Sequence, residues 1–195
     1  MFGRKENRES QFATCKDFQK IFTDEMSSLH LLALLLTADE QKAEECFVSG
    51  LEDSIQGNPV FRQWARSWSK RAIIKNAIKA MAPAVAANDG HGDKSGIKAI
   101  AAAAAANFKS GDAQKDATLT AVLELDSFSR FVFVMAVLEN YSERECSTLL
   151  GSTVHDVVAA KAEAIHFVAS RQLAVVPETK GFRLPKLSML TGDAA

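Results

Sequence analysis

Residues 61–82 hold Arg62, Arg66, Lys70, Arg71, Lys75 and Lys79 and no acidic residue. Arg62, Arg66 and Lys70 are spaced by four, as are Arg71, Lys75 and Lys79, so a helix here carries six cations on two adjacent ridges. Such a surface repels itself unless anionic groups stand nearby. Phosphate suits it, because each phosphate neutralised by Lys or Arg releases condensed counterions. Trp64 and Trp68, also four apart, offer flat faces on which unpaired bases stack, at about 1 to 3 kcal/mol per base. The alternative places both tryptophans in the core and makes the cations a solvated face balanced by the acidic segment before them.

That acidic segment is a second candidate surface. Asp39, Glu40, Glu44, Glu45, Glu52 and Asp53 stand against Lys42, with Phe47, Val48 and Leu51 interleaved. A mixed acidic and apolar face suits a protein partner, or is an ordinary amphipathic helix with its polar side in water. Catalytic and metal chemistry find no comparable pattern. His30 sits in an apolar run, and His91, His155 and His166 have no Cys or carboxylate cluster around them. Asp89, His91, Asp93 and Ser95 alternate somewhat like a calcium loop, but Ile100 stands where the bidentate glutamate is required. There is no GxxxxGK[ST] phosphate loop and no GxSxG elbow. Cys46 and Cys146 fall on apolar faces and read as small core residues; with Cys15 they are odd in number and form no CxxC pair. The expectation is a protein that is not an enzyme, with no cofactor, metal or small-molecule ligand.

The 195 residues carry 23 Lys and Arg against 24 Asp and Glu, a net charge of −1, with 47% apolar and 24% charged residues. Such values belong to globular proteins and disfavour disorder, collagen and disulfide scaffolds. The apolar run over residues 29–36, interrupted only by His30, falls well short of the roughly 20 residues a membrane span needs. No signal peptide is visible behind MFGRKENRES, so a cytoplasmic location without membrane association is expected.

Periodicity supplies the elements that must position these groups. Phe18, Ile21, Phe22, Leu29, Leu32, Ala33 and Leu36 recur at helical spacing and predict one helix over 13–36. Thr37 with Glu40 matches a capping box and predicts a second helix from there through Ile55. Gly57, Asn58 and Pro59 break the chain. A third helix is predicted over 60–81, ending before Pro83. Residues 83–116 are rich in Ala and Gly and predict a flexible linker. Beyond it, Leu119, Val122, Leu123, Leu125, Phe128, Phe131, Val132, Met135 and Leu138 form an apolar stripe broken near Asp126 and Ser127. Ser142 and Glu145 make a capping box, Gly151 suits a left-handed helix end, and Ser152 or Thr153 can cap a final helix bearing Val157, Ala160, Ala164 and Val168. Two short helices with a glycine turn between them form a helix-turn-helix signature.

Three segments together resemble one family, the bacterial RNA polymerase sigma factors of the extracytoplasmic-function type. LLALLLTADEQKAEECFVSGLEDSI (31–55) is similar to the family's core-binding pattern of an apolar helix, a T-G/A-D turn and an apolar-acidic helix. FRQWARSWSKRAIIKNAIKAM (61–81) looks like the following helix, in which a Trp precedes alternating basic and apolar residues. Residues 125–151 match the pattern L-x-x-x-x-R-x-V-F-V-x-x-V-L-E-x-Y-S-x-x-E-x-x-x-L-L-G. Arg71 and Lys75 stand where the family usually has Asn and Asp. Ala159, Ala160 and Glu163 occupy the middle of a last helix that the family studs with cations.

The resemblance implies an all-α chain of two small helical domains joined by a flexible linker. A three-helix domain at 13–82 would be followed by the linker at 83–116, a helix-turn-helix domain at 117–176 and a tail at 177–195. It implies a transcription initiation factor whose partners are RNA polymerase core and promoter DNA. DNA contacts fall on Arg62, Trp64, Arg66, Lys70, Arg71 and Lys75 of the first domain and on Arg144, Thr153, His155 and Lys161 of the second. Polymerase contacts fall on Asp39, Glu44, Glu45, Phe47, Val48 and Leu51. The other reading is a degenerate sigma-like regulator that binds an anti-sigma factor or polymerase without reading DNA. The tail segment FRLPKLSML (182–190) is apolar and basic enough to pack back on a domain or to engage a partner.

Overall fold

The computed structural model describes residues 11–87 and 113–175. Most of the expected 83–116 linker, with the calcium-like Asp89, His91, Asp93 and Ser95, lies outside the described residues, as does the 177–195 tail. Apart from one isolated bridge between Phe12 and Phe61, the regular structure described is helical. The first cluster comprises α1 (Cys15–Asp24), α2 (Met26–Thr37), α3 (Glu40–Gln56), a 3-10 turn (Arg62–Trp64) and α4 (Ala65–Ala87). The second comprises α5 (Ala113–Glu124), α6 (Ser127–Phe133), which runs on as a π turn (Val134–Leu138), α7 (Glu143–Leu150) and α8 (Val154–Val175).

The helix expected over 13–36 is two helices, kinked at Glu25 with φ −111° and ψ 18°. On α1 only Phe18 and Phe22 are buried, whereas α2 is buried on every side from Leu32 to Thr37. A one-sided helix lies on the surface and an all-apolar one must be enclosed, so the two take different seats. The cap of α3 is Asp39, whose carboxylate accepts from the Lys42 amide, and not Thr37. Thr37 belongs to α2, and its hydroxyl donates to the Ala33 and Asp39 carbonyls. Between them Ala38 ends α2 in the left-handed region at φ +49°. Residues 60 and 61 are extended, and the helix expected from there starts as a 3-10 turn at Arg62. Its far end passes Pro83 and reaches Ala87. Pro83 and its predecessor Ala82 are both helical, so the bias against a helical residue before proline does not end α4 here.

Packing sets α4 against α3. At Gly50 a β-carbon would stand 2.6 Å from Ile73 Cγ1 and 3.3 Å from its Cα, so the two helices meet where α3 has no side chain. Leu29, Leu36, Ile73 and Ile74 on one side and Leu123, Phe131, Val132 and Met135 on the other belong to one contiguous core that spans both clusters. Burying each such side chain contributes about 1.5 to 3 kcal/mol. Cys46 and Cys146 lie in that core, as expected, and burial raises both thiols, that of Cys146 to about 11.

A buried cation ties the clusters together. Arg130, 4% exposed, donates from Nε to the Leu36 carbonyl at 3.3 Å and from an Nη to the Leu125 carbonyl at 3.0 Å. Leu36 lies in the last turn of α2, where carbonyls lack helical partners and the dipole is negative. Burial lowers the guanidinium to about 10, with Asp126 opposing the shift, so it stays charged at neutral pH. Elsewhere in the second cluster the local signals hold. Asp126 caps α6, Ser142 and Glu145 form a reciprocal box on α7, and Gly151 ends α7 at φ +65°. Among the described residues no helix is long and apolar enough to cross a membrane.

Candidate nucleic-acid interface

The amino-terminal end of α4 is anchored by a short pairing of the chain with itself. Ala13 N donates to the Val60 carbonyl at 2.7 Å and Arg62 N to the Gln11 carbonyl at 2.8 Å. This pairing stacks Phe12 on Phe61 at 4.9 Å, and Trp64 meets Phe61 edge-on at 5.1 Å. Trp64 is thereby held in the open, 55% exposed, while Trp68 packs against the small core of Phe18, Val60 and Ala65. The core reading of the tryptophans thus fits Trp68 alone.

The six cations divide along their two ridges. On the first, Arg62 pairs with Asp17 at 3.2 Å, Arg66 with Glu25 at 2.7 Å, and Lys70 with both oxygens of Glu139 at 2.8 and 2.9 Å. The Lys70 pair joins the clusters and is the most enclosed, its side chains 31% and 17% exposed. On the second ridge Arg71, Lys75 and Lys79 have no ion pair among the described residues. Arg71 is half-buried beside Tyr141 and Glu145; Lys75 and Lys79 are exposed. The balancing carboxylates come from α1, the Glu25 kink and Glu139 just after the π turn, and not from the acidic helix α3.

Of these cations, Arg66, Lys70 and Arg71 border a groove of about 800 Å³ between the clusters. One wall is Phe61, Trp64, Arg66, Lys70 and Arg71; the other is Glu139, Asn140, Tyr141 and Glu145. Asn140 turns the second wall in the left-handed region at φ +57°, where Asn is tolerated, and delivers Ser142 to cap α7. The arrangement combines an exposed indole, a half-buried tyrosine and the Arg71 guanidinium, which has no ion pair among the described residues although Glu145 stands nearby. It is chemically suited to a stacked ring beside a phosphate. Sequence reasoning missed Asn140, Tyr141, Glu139 and the carboxylates of Asp17 and Glu25 as members of this site.

The other expected surfaces fare unequally. On α3, Glu44, Glu45 and Val48 are exposed. Asp39 is spent as a cap, Phe47 lies edge-on to Phe22 at 5.2 Å, and Leu51 packs against both cores. On the second cluster Arg144 is exposed and His155 projects almost wholly into solvent. Thr153 caps α8: its hydroxyl donates to Asp156 Oδ2 at 2.7 Å and accepts from the Asp156 amide at 3.1 Å. Lys161 is bound to Glu143 at 2.8 Å and holds the Glu143 carboxyl below its ordinary value. Val154, Val158 and Ile165 are exposed on the same helix. Among the described residues no group of His, Cys, Asp and Glu could hold a metal ion. No protein-family model, no curated protein and no solved structure matches the chain.

Proposed function

We propose that this chain is a transcription initiation factor of the sigma type, which docks on RNA polymerase core and directs it to promoter DNA. The observation that carries the reading is the unpaired ridge of Arg71, Lys75 and Lys79 running from a groove edged by the exposed Trp64. Cations without carboxylate partners are the ones that gain most from phosphates. The exposed indole supplies a stacking face for an unpaired base. Glu44, Glu45 and Val48 on the outer side of α3 supply the polymerase-facing surface. The factor has no catalysis of its own, and polymerase performs the chemistry.

A second reading has a specific observation in its favour. Lys161 is neutralised by Glu143, and α8 turns Val154, Val158 and Ile165 outward, a surface better suited to protein than to phosphate. On this reading the chain is a sigma-like regulator that binds an anti-sigma factor or polymerase without reading DNA. Equilibrium binding of the purified chain to bacterial core polymerase, and separately to mixed promoter DNA over a range of salt, distinguishes the two. Polymerase binding with steeply salt-dependent DNA binding supports the initiation factor. DNA binding that is absent or flat with salt, beside tight binding to an anti-sigma protein, supports the regulator. Binding to none of the three overturns both.

A further inference from the structure

A second concave surface lies along α8, away from the basic groove. Two adjoining hollows of about 580 and 360 Å³ share Asp126, Ser129 and Glu163 and form a single trough between α8 and the α5–α6 corner. Its floor is apolar, with Leu125, Phe128 and Phe167. Its rim is acidic, with Glu124, Asp126, Asp156 and Glu163. Glu124 is bound to Arg171 at 2.9 Å and Asp156 is engaged in its cap, whereas Glu163 is exposed with no ion pair among the described residues. At the far end Ser152 lines the trough, and its buried hydroxyl oxygen has no hydrogen-bond partner.

We propose that this trough receives the chain's own segment 182–190, FRLPKLSML. Charge and composition match: residues 179–192 carry Lys180, Arg183 and Lys186 and no acid, and Phe182, Leu184, Leu187 and Leu190 suit an apolar floor. The segment is also long enough to cover it. From Asp156 to Ser170 the helix rises about 21 Å at 1.5 Å per residue, and nine extended residues span about 30 Å. Residues 176–181 follow α8 directly and contain Pro177 and Gly181, residue types that reverse a chain. The proposal is independent of what the basic groove binds.

The test uses the full chain with p-benzoylphenylalanine in place of Phe182, irradiated as an equal mixture of light and isotopically heavy chains. The expected products are crosslinks within one chain to peptides covering 124–129 or 156–170. Glu163→Lys lowers their yield about threefold, the size of one surface ion pair, with the helical circular dichroism unchanged. Should that variant lose helix, raising salt on the unsubstituted chain gives the same readout, since about 0.5 M NaCl screens the rim. Crosslinks between light and heavy chains would place a second copy in the trough and overturn the proposal. So would crosslinks only elsewhere on the chain, no crosslinks at all, or a yield indifferent to both charge reversal and salt.

Discussion

The division of the basic helix into a paired and an unpaired ridge makes a quantitative prediction for DNA binding. Lys75 and Lys79 are exposed and have no ion pair among the described residues, so replacing both with Ala removes charge without breaking a described ion pair. Lys and Ala are both good helix formers, so α4 should persist. Each phosphate neutralised by a free cation contributes about 0.7 to 0.9 to the slope of log affinity against log salt. Three free cations therefore give a slope near −2 to −3, and the double variant keeps about a third of it. Between about 50 and 200 mM NaCl the unsubstituted chain should lose about 20- to 40-fold in affinity and the Lys75→Ala/Lys79→Ala chain only about threefold. The comparison variant is Arg62→Ala/Arg66→Ala, whose cations already sit on Asp17 and Glu25. A phosphate must displace those carboxylates, which then regain counterions, so little net release is available. The assay is fluorescence anisotropy of a labelled forked duplex at several salt concentrations. A slope unchanged in the Lys75/Lys79 variant, or lost instead in the Arg62/Arg66 variant, refutes the division.

Three further outcomes follow from named contacts. Glu139→Gln releases Lys70, so DNA affinity at low salt should rise and the salt slope steepen by up to about 0.9, while stability falls by about 1 kcal/mol or less; anisotropy and urea unfolding read the two opposite effects. Arg130→Met leaves the Leu36 and Leu125 carbonyls without their donor and should cost about 2 kcal/mol in urea unfolding, an unsatisfied buried acceptor costing about 1 to 3. Because one core spans both clusters, that loss should move a single transition, and two separate transitions would contradict the shared core. Ala38→Gly relieves a non-glycine residue at φ +49° and should stabilise the chain by about 1 kcal/mol, raising the thermal midpoint.

What was legible in the sequence was local. The Ser142–Glu145 box, the Gly151 end and the break at Asp126 depend on residues within one helical turn, and the structure has all three. Thr37 and Asp39, two residues apart, are both capping types, so sequence alone does not choose between them; the structure gives the cap to Asp39 and binds the Thr37 hydroxyl to Ala33. The kink at Glu25 has no proline or glycine to announce it, and it follows from how differently α1 and α2 are enclosed. Pro83 announces a helix end, but α4 runs past it to Ala87. For the candidate site, the six cations and Trp64 were visible as types and spacings. Their division was not, since Lys70 finds its carboxylate 69 residues away and Arg66 finds its own 41 residues away. Arg130 was visible only as one letter of a motif; its role depends on a carbonyl 94 residues distant.

The most direct measurement of the central claim is run-off transcription by bacterial core polymerase on fragmented genomic DNA, with and without the purified chain. The account predicts discrete transcripts that require the chain, weaken in the Lys75→Ala/Lys79→Ala variant and persist in Arg62→Ala/Arg66→Ala. Transcription that is unaffected by the chain at saturating concentration, across templates that a control initiation factor activates, would contradict it.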